Sequence, residues 1–210
     1  MNKKGILIII SGFSGAGKGS VVKELLSKND YTLSISATTR QPRDYEQHGR
    51  EYFFESREDF EKMIENNELI EWASYCDNYY GTPKSFVEGN LQQGKDVILE
   101  IETQGALDIK KQFEDALLIF ITVPKAQELK ARLEGRGTED SNIITKRLKR
   151  AYEETQLMKQ YDYIVINDKL DKCAEDISSI IDAEHKKTVR NTHLIEEIKE
   201  QFEELLKGEI

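Results

Sequence analysis

The apolar positions come in short runs separated by polar, turn-forming stretches, and the runs alternate in kind. Ile6-Leu7-Ile8-Ile9-Ile10 is continuous and branched, the pattern of a strand covered on both faces, as in a parallel sheet. A glycine-rich turn follows, then a helical spacing through Val21, Val22, Leu25 and Leu26. Val97-Ile98-Leu99 predicts a second buried strand, followed by a short helix from about Gly105. Leu117-Leu118-Ile119-Phe120-Ile121 predicts a third, with a helix over 125–134 that starts just after Pro124. Tyr163-Ile164-Val165-Ile166 predicts a fourth buried strand, followed by a helix through Ile177, Ile180 and Ile181. Strands that alternate with helices imply an α/β fold with a parallel sheet flanked by helices.

Residues 37–90 break that rhythm. They hold Tyr45, Tyr52, Tyr79 and Tyr80, several polar turns and one helical pattern at Phe60, Met63 and Ile64, and they predict an inserted lobe. Residues 135–141 predict a mobile loop. The helix after it puts Ile144, Leu148, Ala151, Thr155 and Met158 on one face. Lys146, Arg147, Lys149 and Arg150 lie mostly off that face, Lys149 and Arg150 as solvated charge. Beyond 183, Ile195, Ile198, Phe202, Leu205 and Leu206 form a helical stripe. The stripe is expected to pack on the protein's own core, the alternative being a partner or dimer contact, so monomer and homo-oligomer both stay open.

The chain has 210 residues, 38% hydrophobic and 33% charged, which fits one domain with inserted lobes. A formal net charge of −9 speaks against a broad basic surface, so no nucleic-acid partner is expected. A small anionic ligand is compatible with that balance, because local arginines decide it. Cys76 and Cys173 show no metal or redox spacing and read as free thiols of a reducing compartment. The run at 6–10 is too short for a signal segment or a membrane span, and the expectation is a soluble, cytoplasmic protein. His48, His185 and His193 have no ligand spacing and read as surface residues.

Gly12-Phe13-Ser14-Gly15-Ala16-Gly17-Lys18-Gly19-Ser20 follows a buried strand and opens a helix, the context a P-loop requires. Its glycines allow close backbone approach, its N–H groups and the helix N-terminus face a polyphosphate, and Lys18 reaches the β- and γ-phosphates. Gly19 stands where the common motif has Ser or Thr, so the hydroxyl that usually ligates Mg²⁺ is missing. Mg²⁺ is therefore expected on nucleotide oxygens, waters and a carboxylate, with no direct protein ligand. Ser20 and Glu102 would act through water. No Asn-Lys-x-Asp guanine motif of a regulatory GTPase is present. Arg40 and Arg43 flank Pro42, and two guanidinium forks on a fixed loop suit a phosphate monoester, with Tyr52 and Tyr80 as added hydroxyl donors.

Further stretches carry a specific likeness. Ser36-Ala-Thr-Thr-Arg40-Gln-Pro-Arg43, Gly49-Arg-Glu-Tyr52, Ile70-Glu71-Trp72-Ala73, Asn78-Tyr-Tyr-Gly81-Thr82, Leu99-Glu-Ile-Glu-Thr-Gln-Gly105 and Arg132-Leu-Glu-Gly-Arg136 join the glycine-rich loop in one order. Over about residues 5–182 the chain resembles guanylate kinase. The resemblance implies transfer of the γ-phosphoryl of ATP to GMP, with dGMP also accepted. It implies a P-loop core (1–36, 91–134 and 148–182), a GMP-binding lobe (37–90) and a lid (135–147), leaving 183–210 as a helical extension.

The resemblance assigns the GMP phosphate to Arg40, Arg43, Tyr52 and Tyr80. It assigns the guanine O6 edge to Ser36 and Thr82, and the guanine N1–H and 2-amino group to Glu71. Glu100 and Glu102 match an acidic pair, one serving the guanine edge and the other the Mg²⁺ water shell, without a decision between them. Arg132, Arg136 and Arg147 match lid arginines that would neutralise the transferred group, and Asn167 a position near the adenine. No general base is demanded, since a GMP phosphate is already a nucleophile. The rival readings are a kinase for another nucleoside monophosphate and a non-catalytic guanylate-kinase-like binding module.

Overall fold

The computed structural model describes residues 4–75, 77–135 and 141–207. The first apolar run forms β1 (Leu7–Gly12), buried at every position. Together with β2 (Thr32–Leu33), β7 (Val97–Glu100), β8 (Leu117–Thr122) and β9 (Tyr163–Ile166) it makes a five-stranded parallel sheet, order β2-β7-β1-β8-β9. Ile9 lies opposite Leu99 on one side and Leu118 on the other. A strand paired on both edges and covered on both faces offers no polar surface, which is why its sequence is unbroken aliphatic.

Helix α1 (Lys18–Lys28) packs against α7 (Leu170–His185), with Tyr31 Oη 3.2 Å from Ser178 Oγ beside the contact. The edge of this packing corrects one expectation. His185 is not a free surface residue: its Nε2 lies 2.8 Å from Asp96 Oδ2, while Asp96 Oδ1 accepts from the Ile6 N–H at 2.8 Å. The end of α7 is thereby tied to the start of β1. His48 and His193 are exposed.

The fourth strand also differs from its expected burial. Ile164 and Ile166 are 51% and 54% exposed, and only Val165 is buried. The reason is position: β9 is the sheet edge, and α7 covers the face of Tyr163 and Val165, where Tyr163 donates to Glu184 at 2.9 Å.

The chain between 37 and 83 forms a second sheet of β3 (Ala37–Thr38), β4 (Phe53–Phe54), β5 (Leu69–Tyr75) and β6 (Asn78–Pro83), order β4-β3-β6-β5. Its own small core centres on Ala37, Leu69 and Phe60, the last from α2 (Arg57–Glu65). Helix α3 (Lys84–Gln92), expected within the lobe, instead buries Val87 and Leu91 in the main core, so the second sheet's unit closes at Pro83. Three further helices complete the main body: α4 (Thr103–Gln112), α5 (Ala126–Glu134) and α6 (Ser141–Glu154).

The C-terminal stripe does form a helix, α8 (Thr192–Lys207), but no residue of it is buried. Ile195, Ile198, Phe202, Leu205 and Leu206 are 43–66% exposed, so the expected packing on the core is not made. Cys173 is a buried free thiol, pushed by burial up to about 11, and Cys76 lies outside the described residues. Among the described residues no helix is long and apolar enough to cross a membrane.

Behind the glycine-rich loop, Phe120 stacks edge-on between Phe13, at 5.0 Å between ring centroids, and Tyr161, at 5.1 Å. It is fully buried on the central pair of strands. Truncation to Phe120→Ala leaves a cavity that touches both the sheet and the loop, and a loss of about 3–5 kcal/mol is expected in urea unfolding.

Candidate functional site

Strand β1 ends at Gly12, where a Cβ would stand 2.0 Å from the Ile121 carbonyl oxygen, so only glycine lets β8 run this close. The chain then turns into α1 through Gly17 at φ +91°, where a side chain would meet Asn167 Nδ2 at 2.6 Å. No side chain caps α1. Its first-turn amides are thus available to an anion. Lys18 reaches back over the loop, donating to the Gly12 carbonyl at 2.8 Å and to that of Phe13 at 3.2 Å.

The loop is braced from outside. The Ala16 carbonyl accepts from Asn167 Nδ2 at 2.7 Å and from Arg132 Nη1 at 3.3 Å. Arg132 Nη2 in turn donates to the Asn167 carbonyl at 2.7 Å. Asn167 and Arg132 therefore meet at the back of the loop, and neither borders the cavity in front of Lys18. Arg136 lies outside the described residues, as does most of the loop around it.

That cavity, of about 500 Å³, is lined by Gly12, Ser14 and Lys18 on the loop and by Glu100, Ile101 and Glu102 at the end of β7. The two carboxylates separate. Glu100 lies beside the loop, 3.6 Å from where a Gly19 side chain would begin. Partial desolvation raises its carboxyl above the usual range, and Lys18 pulls it back. Glu102 pairs with Arg150 and borders a second cavity of about 450 Å³ toward the lobe. Ser20 is exposed on α1. Glu100, rather than Glu102, is thus the carboxylate at the position left bare by Gly19.

Helix α6 closes the front. Arg147 donates to Ser14 Oγ at 2.6 Å. Arg150 binds Glu102 through Nη2 and Glu154 through Nε, the latter at 3.1 Å. Arg150 is therefore no bare solvated charge, and Glu154, 9% exposed, joins the cavity lining. The only sequence sign of either was the Arg–Glu spacing of four on one helix, common on solvated faces. Lys149 is exposed, as expected.

In the lobe, Arg40 lies 5.4 Å from the Tyr52 ring, and the Tyr52 and Tyr80 rings are 6.2 Å apart. Glu46, unnoticed in the sequence, holds the group: its side chain is 4% exposed, takes Arg40 Nη2 at 2.9 Å and accepts from the Arg43 N–H at 2.8 Å. The hydrogen bond from Arg40 keeps the Glu46 carboxyl below the usual range. The Arg43 side chain turns outward to Tyr45 Oη at 2.8 Å. Thr38 fixes the arginine loop by donating to the Tyr79 carbonyl at 2.9 Å and accepting from the Arg40 N–H at 3.2 Å.

Glu71 on β5 is among the residues lining the second cavity. The buried Thr82 hydroxyl donates to it at 2.7 Å. The register of β3 and β6, Ala37 opposite Gly81, sets Ser36 across from Thr82. Burial raises the Glu71 carboxyl; the Thr82 bond lowers it and the Glu102 charge adds to the rise. The site thus offers a phosphate cradle, a carboxylate-lined pocket, and a strand end whose Ile101 and Glu102 border both.

The description "Guanylate kinase" belongs to the family model that matches residues 4–184. A guanylate kinase of Caldanaerobacter subterraneus is 50% identical over 202 residues, 96% of this chain and 98% of that protein. One of Bacillus cereus is 48% identical, covering 95% and 98%. The crystal structure of guanylate kinase from Anaplasma phagocytophilum superposes with a TM-score of 0.68 at 33% identity, over 90% of each chain.

Glu71 also sets a stability expectation. At pH of about 4 it is largely protonated whether folded or not, and its burial carries no ionic cost. As pH rises through its raised value, the folded protein must ionise a desolvated carboxyl, and that part of the stability is lost. Glu71→Gln, which can still accept from Thr82, should melt a few degrees above the parent chain at pH 7 and close to it at pH 4.

Proposed function

The chain belongs to the guanylate kinase family and transfers the γ-phosphoryl of ATP to GMP; from that premise we propose how its residues share the work. One observation carries the proposal: the cradle of Lys18 and the pocket of Glu71 open onto one strand end, Ile101-Glu102. ATP lies with its phosphates on the amides of residues 12–20 and Lys18, and its adenine beside Asn167. GMP, or dGMP, lies in the lobe. Its phosphate meets Arg40, Tyr52 and Tyr80, and Arg43 swings in from Tyr45. Its base meets Glu71, Thr82, Ser36 and Glu102.

Base choice follows from donor and acceptor placement. Guanine offers N1–H and its 2-amino group side by side, and one carboxylate accepts both. Adenine presents a lone pair at N1, which would face the carboxylate. A site built on such hydrogen bonds rejects the analogue lacking them by about 10⁴-fold. Glu71 must be ionised for this, so its raised value makes GMP binding weaken earlier on acidification than an ordinary carboxylate would.

The residues present suit Mg²⁺ brought in with the nucleotide. Glu100 is one hard oxygen donor beside the loop, with room at Gly19 for ordered water. Mg²⁺ retains several waters readily and does not need an all-protein cage. When bound it would spread the charge of the transferred oxygens, held through water by Glu100. The chain's own part is positional. Lys18 and Arg147 face the transferred group, and Arg132 keeps the loop and Asn167 in place. Positioning GMP beside the γ-phosphoryl group favours it over water, the competing acceptor.

The test is a coupled assay of ADP release from ATP and Mg²⁺ with GMP, AMP, CMP or UMP offered singly. GMP alone should support turnover. Lys18→Ala should lower turnover by about 10²-fold or more while calorimetry still registers GMP binding. Near-normal turnover in that variant would overturn the assignment of Lys18.

A further inference from the structure

Two arginines one turn apart on α6 reach opposite halves of the site: Arg147 to Ser14 of the phosphate loop, Arg150 to Glu102. Arg150 differs from the other cations around Lys18. Its guanidinium is held at Nε by Glu154, whose side chain is 11% exposed, and at Nη2 by Glu102. With two carboxylates on one cation, its charge is already compensated and adds little toward an incoming phosphate. The planar fork instead fixes direction, since Nε and Nη2 present parallel donors at set spacing. A carboxylate has two oxygens; Arg150 takes Oε2 of Glu102, and Glu102 also borders the second cavity, which Glu71 lines from β5.

We propose that Arg150 is a positioning residue for base recognition: anchored by Glu154, it turns the Glu102 carboxylate so that its remaining oxygen accepts from the 2-amino group of GMP. Glu102 enters here in the guanine-facing role proposed above, on which this rests. The arrangement also ties the base pocket to α6, so the helix that sets Arg147 on the phosphate loop is the one that orients Glu102.

Inosine monophosphate separates this from a structural role, because it keeps N1–H and O6 but lacks the 2-amino group. In full-length protein, Arg150→Gln should raise KM for GMP roughly tenfold, leave KM for ATP unchanged, and lower the preference for GMP over inosine monophosphate by a similar factor. Lys149→Gln, which removes a neighbouring exposed charge of α6, should change none of these. Glu154→Gln, which loosens the anchor while keeping Arg150, should move the preference the same way by less, and it carries the test if Arg150→Gln does not fold. An unchanged preference in a folded Arg150→Gln protein, beside a collapsed one in Glu102→Gln, overturns the role of Arg150 alone. An unchanged preference in Glu102→Gln overturns the guanine-facing role of Glu102 and this proposal with it.

Discussion

The close approach of β1 and β8 at Gly12 governs the rest of the molecule. The Ile121 carbonyl occupies the space a side chain would need, so the central strand can end only in a glycine and the loop must begin there. Because β1 sits between β7 and β8 in register, β7 ends opposite Ile10 and β8 runs on beside Gly12, so the ends of all three strands lie within a few residues of the loop. The carboxylates at the end of β7 and just beyond it, and the aromatic packing of Phe120 on β8, are therefore placed by the same backbone contacts that place the loop. A parallel sheet gathers its strand ends at one edge, and the site is assembled there.

No cation of the site described here stands without a partner. Lys18 rests on loop carbonyls, Arg40 on Glu46, Arg147 on Ser14, and Arg150 on Glu102 and Glu154. A half-buried charge left without a partner is expensive, so these pairings hold the side chains near their working positions before any ligand arrives. The pairings are not equal. Lys18 donates to the Gly12 and Phe13 carbonyls and Arg147 to the Ser14 hydroxyl. Arg150 sits on two carboxylates and Arg40 on one.

What the sequence revealed was local. A continuous aliphatic run, a glycine-rich turn and a helical spacing are each written within a few residues, and β1, the loop and α1 were legible from them. What depends on distant neighbours was not. The run at 163–166 looks as apolar as the others, yet its edge position exposes Ile164 and Ile166. His185 has no motif around it, because its partner Asp96 lies on the far side of the sheet's connectivity. Glu46, Arg150 and Glu154 are ordinary charges in sequence and acquire meaning only from what folds against them. The stripe of α8 was read correctly as a helix; whether it would be covered is a property of the rest of the chain, and the rest of the chain does not cover it.

The acidic pair shows most clearly how structure divides what spacing joins. Residues two apart on a strand share a face, so Glu100 and Glu102 should point together if β7 continued. It does not: β7 stops at Glu100, and Glu102 is already the N-cap of α4 with φ −69° and ψ 163°. Between the two acids the Ile101 side chain lies against the start of α4, where a methyl on Gly105 would stand 2.7 Å from its Cδ1. Gly105 lets Ile101 settle there, and the turn sends one carboxylate toward the phosphate loop and the other toward the base pocket. Two acids within three residues thereby line different parts of the site, parted by one strand-to-helix turn rather than by the flexible reach of side chains.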